Sequence, residues 1–196
     1  MIRRVVKVGG SLLKRKDLAE QIVCWTERQS IAENLFLFGG GDVINSVRQL
    51  DEVHCLDVSR LHWLCIDLLD VSFAVASSLL SDWNRIESQQ QFRELVKQQP
   101  RKMNTIVRCK SFYHREREGS APGSLANALP WDWRTTTDSL AAQLAMETNA
   151  RELVLLKSCE VDCRLSHQEL ARRGIVDAAF PNAAKSIASV TAQRLC

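Results

Sequence analysis

The 196-residue chain is predicted to be an α/β protein, a three-layer α/β/α sandwich around a mainly parallel central sheet. Three observations predict it. Short apolar runs alternate with longer helical patterns, as strand–helix–strand units require. Two of those runs end in glycine clusters that open a helical pattern, the junction found at the carboxyl edge of parallel sheets. A composition of 45% hydrophobic and 25% charged residues can fill one core of two or three layers, so 1–196 reads as a single domain.

The elements follow in chain order. Residues 2–8 form a strand that carries Lys7 and runs into Gly9-Gly10-Ser11, and a helical pattern covers 16–30. The apolar run of a second strand, 34–39, ends in Gly39-Gly40-Gly41-Asp42 and passes into a helix over 42–54. The helix expected over 58–82 holds the most apolar segment, Leu61 to Leu80, long enough to span a bilayer. Asp67, Asp70 and His62 interrupt it and no aromatic belt frames it, so a buried helix is expected, covered by the sheet on one side and by a partner subunit on the other. A helix over 86–98 and a strand over 104–109 precede an irregular, lid-like loop near 110–134. Beyond it, Thr137 is read as the cap of a helix over 137–149 whose first turn holds Asp138. Ala141, Ala142 and Ala145 allow that helix to pack closely. A strand over 152–157 and helices over 165–173 and 182–194 complete the chain.

Several function classes are disfavoured. A formal charge of +3, with basic residues scattered and not interleaved with aromatics, gives no nucleic-acid surface. It can still steer a small anionic substrate. The seven cysteines form neither an even disulfide framework nor a C-x-x-C pair and read as reduced thiols. Cys159 and Cys163, near His167, lack a second ligand pair at zinc spacing, and no metal site is assigned. Met1-Ile2-Arg3-Arg4 mimics the start of a signal peptide, but Lys7 and the glycines break any apolar core, so a cytoplasmic protein is expected.

The chemistry starts at the first glycine junction. Gly9 and Gly10 lack a Cβ and let backbone N–H groups approach an anion, while Lys7 places a point charge beside it. Neither junction fits G-x-x-x-x-G-K-[ST] or G-x-G-x-x-G. Lys7-Val8-Gly9-Gly10-Ser11 instead resembles the N-terminal Lys-x-Gly-Gly-Ser of the amino acid kinase superfamily, which includes aspartate, acetylglutamate, carbamate, uridylate and isopentenyl phosphate kinases. Asp138, followed by Ser139-Leu140-Ala141-Ala142, matches the aspartate that sits behind the transferred phosphate in that superfamily and orients its catalytic lysines. Trp133 before Thr136-Thr137-Asp138-Ser139-Leu140, Gly39-Gly40-Gly41-Asp42 with Val47-Arg48-Gln49-Leu50-Asp51, Leu61-His62-Trp63, and Val176-Asp177-Ala178-Ala179-Phe180-Pro181 are similar to the (aminomethyl)furanmethanol phosphate kinase branch of methanofuran biosynthesis.

The resemblance implies a carbamate kinase-like fold and an ATP- and Mg2+-dependent small-molecule kinase. Its acceptor would be a phosphomonoester or similar anion, with a furanmethanol phosphate as the specific expectation. Lys7, Asp138 and Lys157 are then the catalytic set, with Lys157 the local candidate for a second cation. Gly9, Gly10, Ser11 and Ser158 bind nucleotide or phosphate, and Gly39, Gly40, Gly41, Asp42, His62, Thr136 and Thr137 border the acceptor. Magnesium would arrive with the nucleotide. A homodimer or higher homo-oligomer is implied, and neither nucleic acid nor a membrane is a partner.

The chain also departs from the family. Lys157-Ser158-Cys159-Glu160-Val161-Asp162 stands where the family has Thr-Asp-x-x-Gly-[Val/Ile], and no late Gly-Gly-Met-x-x-Lys is present. The branch would continue past Phe180-Pro181 through another strand and a Gly-Arg. A non-catalytic ligand-binding or regulatory protein that keeps the fold is therefore the alternative. On this reading Asp138→Asn keeps the helix cap and the fold.

Overall fold

The structure, a computed structural model, describes residues 1–115 and 129–196. Six strands, β1 (Ile2–Val8), β2 (Ala32–Phe38), β3 (Asn84–Ile86), β4 (Met103–Val107), β5 (Glu152–Lys157) and β6 (Ser189–Arg194), form one sheet in the order β3-β4-β2-β1-β5-β6. Every strand pair in it is parallel. Seven α-helices are described: α1 (Leu18–Glu27), α2 (Gly41–His54), α3 (Val58–Leu79), α4 (Gln89–Lys97), α5 (Thr137–Glu147), α6 (His167–Arg172) and α7 (Phe180–Ala183). A 3-10 turn, Gly10–Lys14, follows β1, and another spans Cys109–Ser111.

The two-residue period of the strands makes the three layers. Val5, Leu35, Leu37, Leu153 and Leu155 face one core, filled by Trp63, Ile66 and Leu69 of α3 together with α4, α5, α6 and α7. Val6, Val8, Phe36, Phe38, Val154 and Leu156 face the other, filled by Leu18, Ile22 and Trp25 of α1 and by Ala76 near the end of α3. Because β1 and β2 run one way across the sheet and β5 lies on the other side of β1, a crevice opens at the carboxyl ends of β1 and β5. Lys7 and Lys157 lie there, and odd numbering puts both on the face covered by α5.

The carboxyl-terminal segment corrects an expectation. In place of one helix over 182–194, the chain forms the single turn α7 and then β6, which pairs with β5 from Glu152↔Ser189 to Lys157↔Arg194. Val190 and Thr191 favour an extended backbone, and an edge strand exposed along much of its length has no need of a continuous apolar run. A strand therefore does follow Phe180-Pro181. Ile86, expected to open a helix over 86–98, instead closes a short edge strand, Asn84–Ile86, and α4 starts only at Gln89 behind a Ser88–Gln91 capping box.

α3 is long and apolar enough, by length and composition, to cross a membrane. Leu61, Trp63, Ile66, Leu69 and Ala76 bury one side of it, while Leu64, Val71, Val75 and Leu79 remain exposed. Its acidic residues are engaged: Asp70 takes a two-pronged contact from Arg108, and Lys110 bonds both Asp67 and Asp70. Of the irregular stretch expected over 110–134, residues 116–128 lie outside the described residues.

Candidate functional site

The two glycine junctions pack backbone against backbone. A Cβ on Gly10 would overlap the amide of Gly41, and one on Gly41, whose φ is +56°, would stand 2.6 Å from the carbonyl oxygen of Gly10. A Cβ on Gly39 would lie 2.8 Å from the Gly10 nitrogen. These glycines are therefore required first by contact between the loops. The amides of Gly9 and Gly39 continue the sheet ladder, donating to the carbonyls of Leu156 (2.8 Å) and Val8 (2.9 Å). That leaves the start of the 3-10 turn, Gly10 and Ser11, as the part of the first junction that can face a ligand.

Beneath the junctions is a buried charge cluster. Lys7 Nζ lies 2.8 Å from Asp138 Oδ1, and Lys157 Nζ lies 2.9 and 2.8 Å from the two oxygens of the same carboxylate. Lys157 also donates to the Ile175 carbonyl at 2.6 Å. Lys7, Asp138 and Lys157 are only 5%, 4% and 8% exposed. Burial pushes the Asp138 carboxyl up, but the two ammonium groups outweigh it and hold its pKa below the ordinary carboxylate value. Burial and the neighbouring Lys7 charge lower Lys157 to about 8, against the pull of Asp138. Two cations on one carboxylate leave a surplus positive charge, which is the electrostatic form of an anion site.

The N-terminus of α5 is fixed differently from the sequence expectation. The helix begins at Thr137, its N-cap is Thr136, and neither hydroxyl caps it. The capping group comes from Asp177, just before α7. Its Oδ2 accepts from the Thr136 amide (2.9 Å), the Thr136 hydroxyl (2.8 Å) and the Ser139 amide (3.0 Å). Its Oδ1 accepts from the Ser139 hydroxyl and from the Phe180 amide at 3.0 Å. Burial raises the Asp177 pKa, while the bonds from Ser139 and Thr136 oppose that rise. Asp177 lies in the segment Val176–Pro181, and its capping role leaves no local trace in the sequence because the amide it accepts is 38 residues away.

A cavity of about 370 Å³ opens above this cluster. Lys7, Gly10, Ser11, Gly39, Gly40, Gly41, His62, Thr136 and Thr137 all line it, so the structure gathers most of the expected site residues around one space. Asp138 and Lys157 sit behind Lys7, outside the lining. Asp42, expected to border the acceptor, is exposed and outside the lining, and it pairs with Lys14. Ser158 is exposed too, and its hydroxyl bonds that of Ser11 at 2.8 Å across the gap between the two loops. Burial lowers the His62 pKa to about 4, against a smaller opposing influence of Asp132, so the ring is neutral at neutral pH and bonds Tyr113 at 2.9 Å.

The rest of the lining was not anticipated. Ile44, Asn45 and Arg48 come from one face of α2, Cys65, Ile66 and Leu69 from α3, and Asp132 and Trp133 from the segment before α5. The helical period carries the missing signal for the first set, since 41, 44, 45 and 48 fall on one side of a helix that begins at the glycine triplet. Among the described residues no group of three His, Cys, Asp or Glu side chains is placed to hold a metal ion.

No protein-family model matches this sequence, and no curated protein matches it. Solved structures do match in fold. The chain is similar to UMP kinase from Ureaplasma parvum, with 16% identity and a TM-score of 0.64 over 99% of this chain and 90% of that one. It is similar to uridylate kinase from Archaeoglobus fulgidus, with 17% identity and a TM-score of 0.58 over 100% and 90%. It is also similar to aspartate kinase from Synechocystis, with 12% identity and a TM-score of 0.63 over 98% of this chain and 37% of that one. At these identities the likeness is one of fold: the parallel α/β architecture of this chain is similar to the folds of UMP kinase and aspartate kinase.

Proposed function

We propose that the protein is a small-molecule kinase that moves the γ-phosphoryl group of ATP to a small anionic acceptor held in the cavity. The observation that carries this reading is the pair Lys7 and Lys157 on the single carboxylate of Asp138, a fixed and buried surplus of positive charge facing the cavity through Lys7. Phosphoryl transfer develops charge on the moving oxygens and needs positioned cations more than covalent chemistry. Lys7 binds the transferred group, Asp138 holds the two ammonium groups at fixed positions, and Lys157 supplies the second charge. Ser11 and Ser158 present hydroxyls on the loops after β1 and β5, where a nucleotide's phosphates fit the same surplus charge. Magnesium neutralises those phosphates when it is bound with them, and no carboxylate cage for it is found among the described residues.

The cavity walls support a phosphomonoester carrying a flat ring, with a furanmethanol phosphate as the specific candidate. Trp133, Ile66, Leu69 and Leu140 offer apolar surface, and a neutral His62 adds a ring without a charge. The exposed row on α3 supports assembly with a second copy, and seven unpaired cysteines support a reducing cytoplasm. A ligand-binding protein without turnover is the second reading. It is favoured by the Ser11–Ser158 bond, which closes part of the phosphate side.

Incubation with Mg-ATP and a panel of phosphomonoesters, followed by 31P NMR, tests the reading. Formation of ADP with a new phosphoanhydride is expected, and Lys7→Ala is expected to lower turnover by about 10²- to 10³-fold with a smaller change in acceptor affinity. Absence of transfer to every acceptor, with ligand binding retained, would leave the second reading in its place.

A further inference from the structure

Arg48 is a cation at the cavity that the kinase reading leaves unused. It lies on the same face of α2 as Gly41, Ile44 and Asn45, and it lines the cavity together with Lys7. Among the described residues it has no hydrogen-bond or ion-pair partner. Its guanidinium carbon stands 4.8 Å from the centre of the Trp133 ring, a cation–π contact that fixes the stem and leaves the donor edges of the guanidinium unspent. Trp133 is itself held, since its indole Nε1 donates to Asp51 Oδ2 at 2.7 Å. Asp51 thus engages the indole, and among the described residues no ion pair joins it to Arg48, one helical turn before it.

We propose that Arg48 is the residue that recognises the acceptor: it binds an oxyanion on a ring-bearing ligand, with Trp133 and Asp51 as positioning residues. The proposal rests on the kinase reading only for the word acceptor; the binding it describes stands without turnover. The chemistry follows from the residues that face this part of the cavity. A guanidinium binds a phosphate or carboxylate through two parallel N–H···O bonds, with a geometry that an ammonium cannot copy. Trp133, Val58 and Ile66 offer apolar surface for a ring beside it. Lys7 and its buried partners form a second positive group lining the same cavity, so an acceptor phosphate that uses both turns one oxygen towards Arg48 and the oxygen that receives the phosphoryl group towards Lys7.

The test measures binding of benzyl phosphate and of benzoate by isothermal titration calorimetry, with Mg-ADP as the control ligand. Arg48→Gln is expected to weaken the ring-bearing anion by about 10- to 100-fold, the loss of a charge-assisted hydrogen-bonded pair, and to leave Mg-ADP affinity unchanged. Arg48→Lys restores only part of it. Trp133→Phe keeps a ring under the guanidinium but loses the bond to Asp51, and a loss of about threefold is expected; Trp133→Leu, which removes the ring, loses more. Dependence on Arg48 with benzyl phosphate assigns a phosphate as the recognised group, and dependence with benzoate assigns a carboxylate. Arg48 is exposed, so its variants are expected to keep the wild-type melting temperature. Equal affinities in wild type and Arg48→Gln, an equal loss for Mg-ADP, or no saturable binding of either probe by the wild type overturns the proposal. Arg48-dependent binding without phosphoryl transfer would sustain it while removing the kinase reading.

Discussion

The carboxylate of Asp177 crosses 38 residues of sequence to accept the amide of Ser139 at 3.0 Å, and so closes the first turn of α5 from outside the helix. That turn carries Asp138, the anchor of both buried lysines. Asp177→Ala leaves the amides of Thr136 and Ser139 without their carboxylate acceptor, while the Phe180 amide keeps the backbone carbonyl of residue 177. The expected cost is about 2–4 kcal/mol, or roughly 5–15 °C in melting temperature for a domain of this size. Asp177→Asn, which keeps one acceptor oxygen, is expected to lose less. Thermal denaturation followed by circular dichroism checks both, and an unshifted Asp177→Ala midpoint would show that α5 needs no external cap.

Asp138→Asn now carries an expectation opposite to the one drawn from sequence. Asp138 does not cap α5, and its charge lies 2.8 Å from Lys7 and 2.8 Å from Lys157 in the interior. Removing that charge leaves two adjacent ammonium groups uncompensated, a change of the kind that costs about 3–5 kcal/mol. The variant is expected to melt roughly 6–20 °C below wild type. A midpoint within a couple of degrees of wild type would mean that the lysines find other partners.

Lys157 gives the site a pH limit. Its folded pKa is lowered to about 8, so the ammonium is charged below that value and loses its charge as pH rises through it. Anion affinity, measured with Mg-ADP between pH 6.5 and 9.5, is expected to hold at the acid end and fall by up to about tenfold per pH unit above about 8. Lys157→Arg, which stays charged throughout, is expected to remove that descending limb. Folding stability moves in the opposite sense. The lowered lysine pKa makes its contribution complete only above the unfolded value, and that contribution is lost as pH falls through about 8.

The exposed row Leu64, Val71, Val75 and Leu79 on α3 is expected to be the seam of a homodimer. In an antiparallel pairing of two copies, Leu64 of one faces the region of Val75 of the other, so a single row is self-complementary. Analytical ultracentrifugation at micromolar concentration is expected to show a dimer, and Val71→Asp a monomer with an unchanged circular dichroism spectrum. A wild type that sediments as a monomer would assign this face to some other partner.

Much of the architecture was legible in the sequence because it follows from local rules. Strand β1 up to Lys7, the glycine junctions after β1 and β2, the long apolar α3 and the strand ending at Lys157 each carry their signal in contiguous residues. The strand period even places Lys7 and Lys157 on the same face once their strands are known to be neighbours. That adjacency is what contiguous residues cannot supply, since β1 and β5 are far apart in the chain and meet only through the strand order. The edge strands β3 and β6 were missed for a related reason: partly exposed, they carry little apolar pattern, and pairing with a neighbour fixes them.

At the site, sequence alone singled out the residues to which the proposed chemistry is assigned: Lys7, Asp138 and Lys157 by type, and the glycines by their lack of a Cβ. Only the tertiary structure decided what each is for. It showed that Gly10 and Gly41 are glycines because their backbones touch, that Asp138 serves two lysines, that Asp177 caps α5 from a distant segment, and that Arg48 rests on Trp133 beside the cavity. The physical reason is common to all four. Hydrogen bonds, ion pairs and close backbone contacts act over a few ångströms of space, and which side chains come within that reach is set by how the sheet orders its strands.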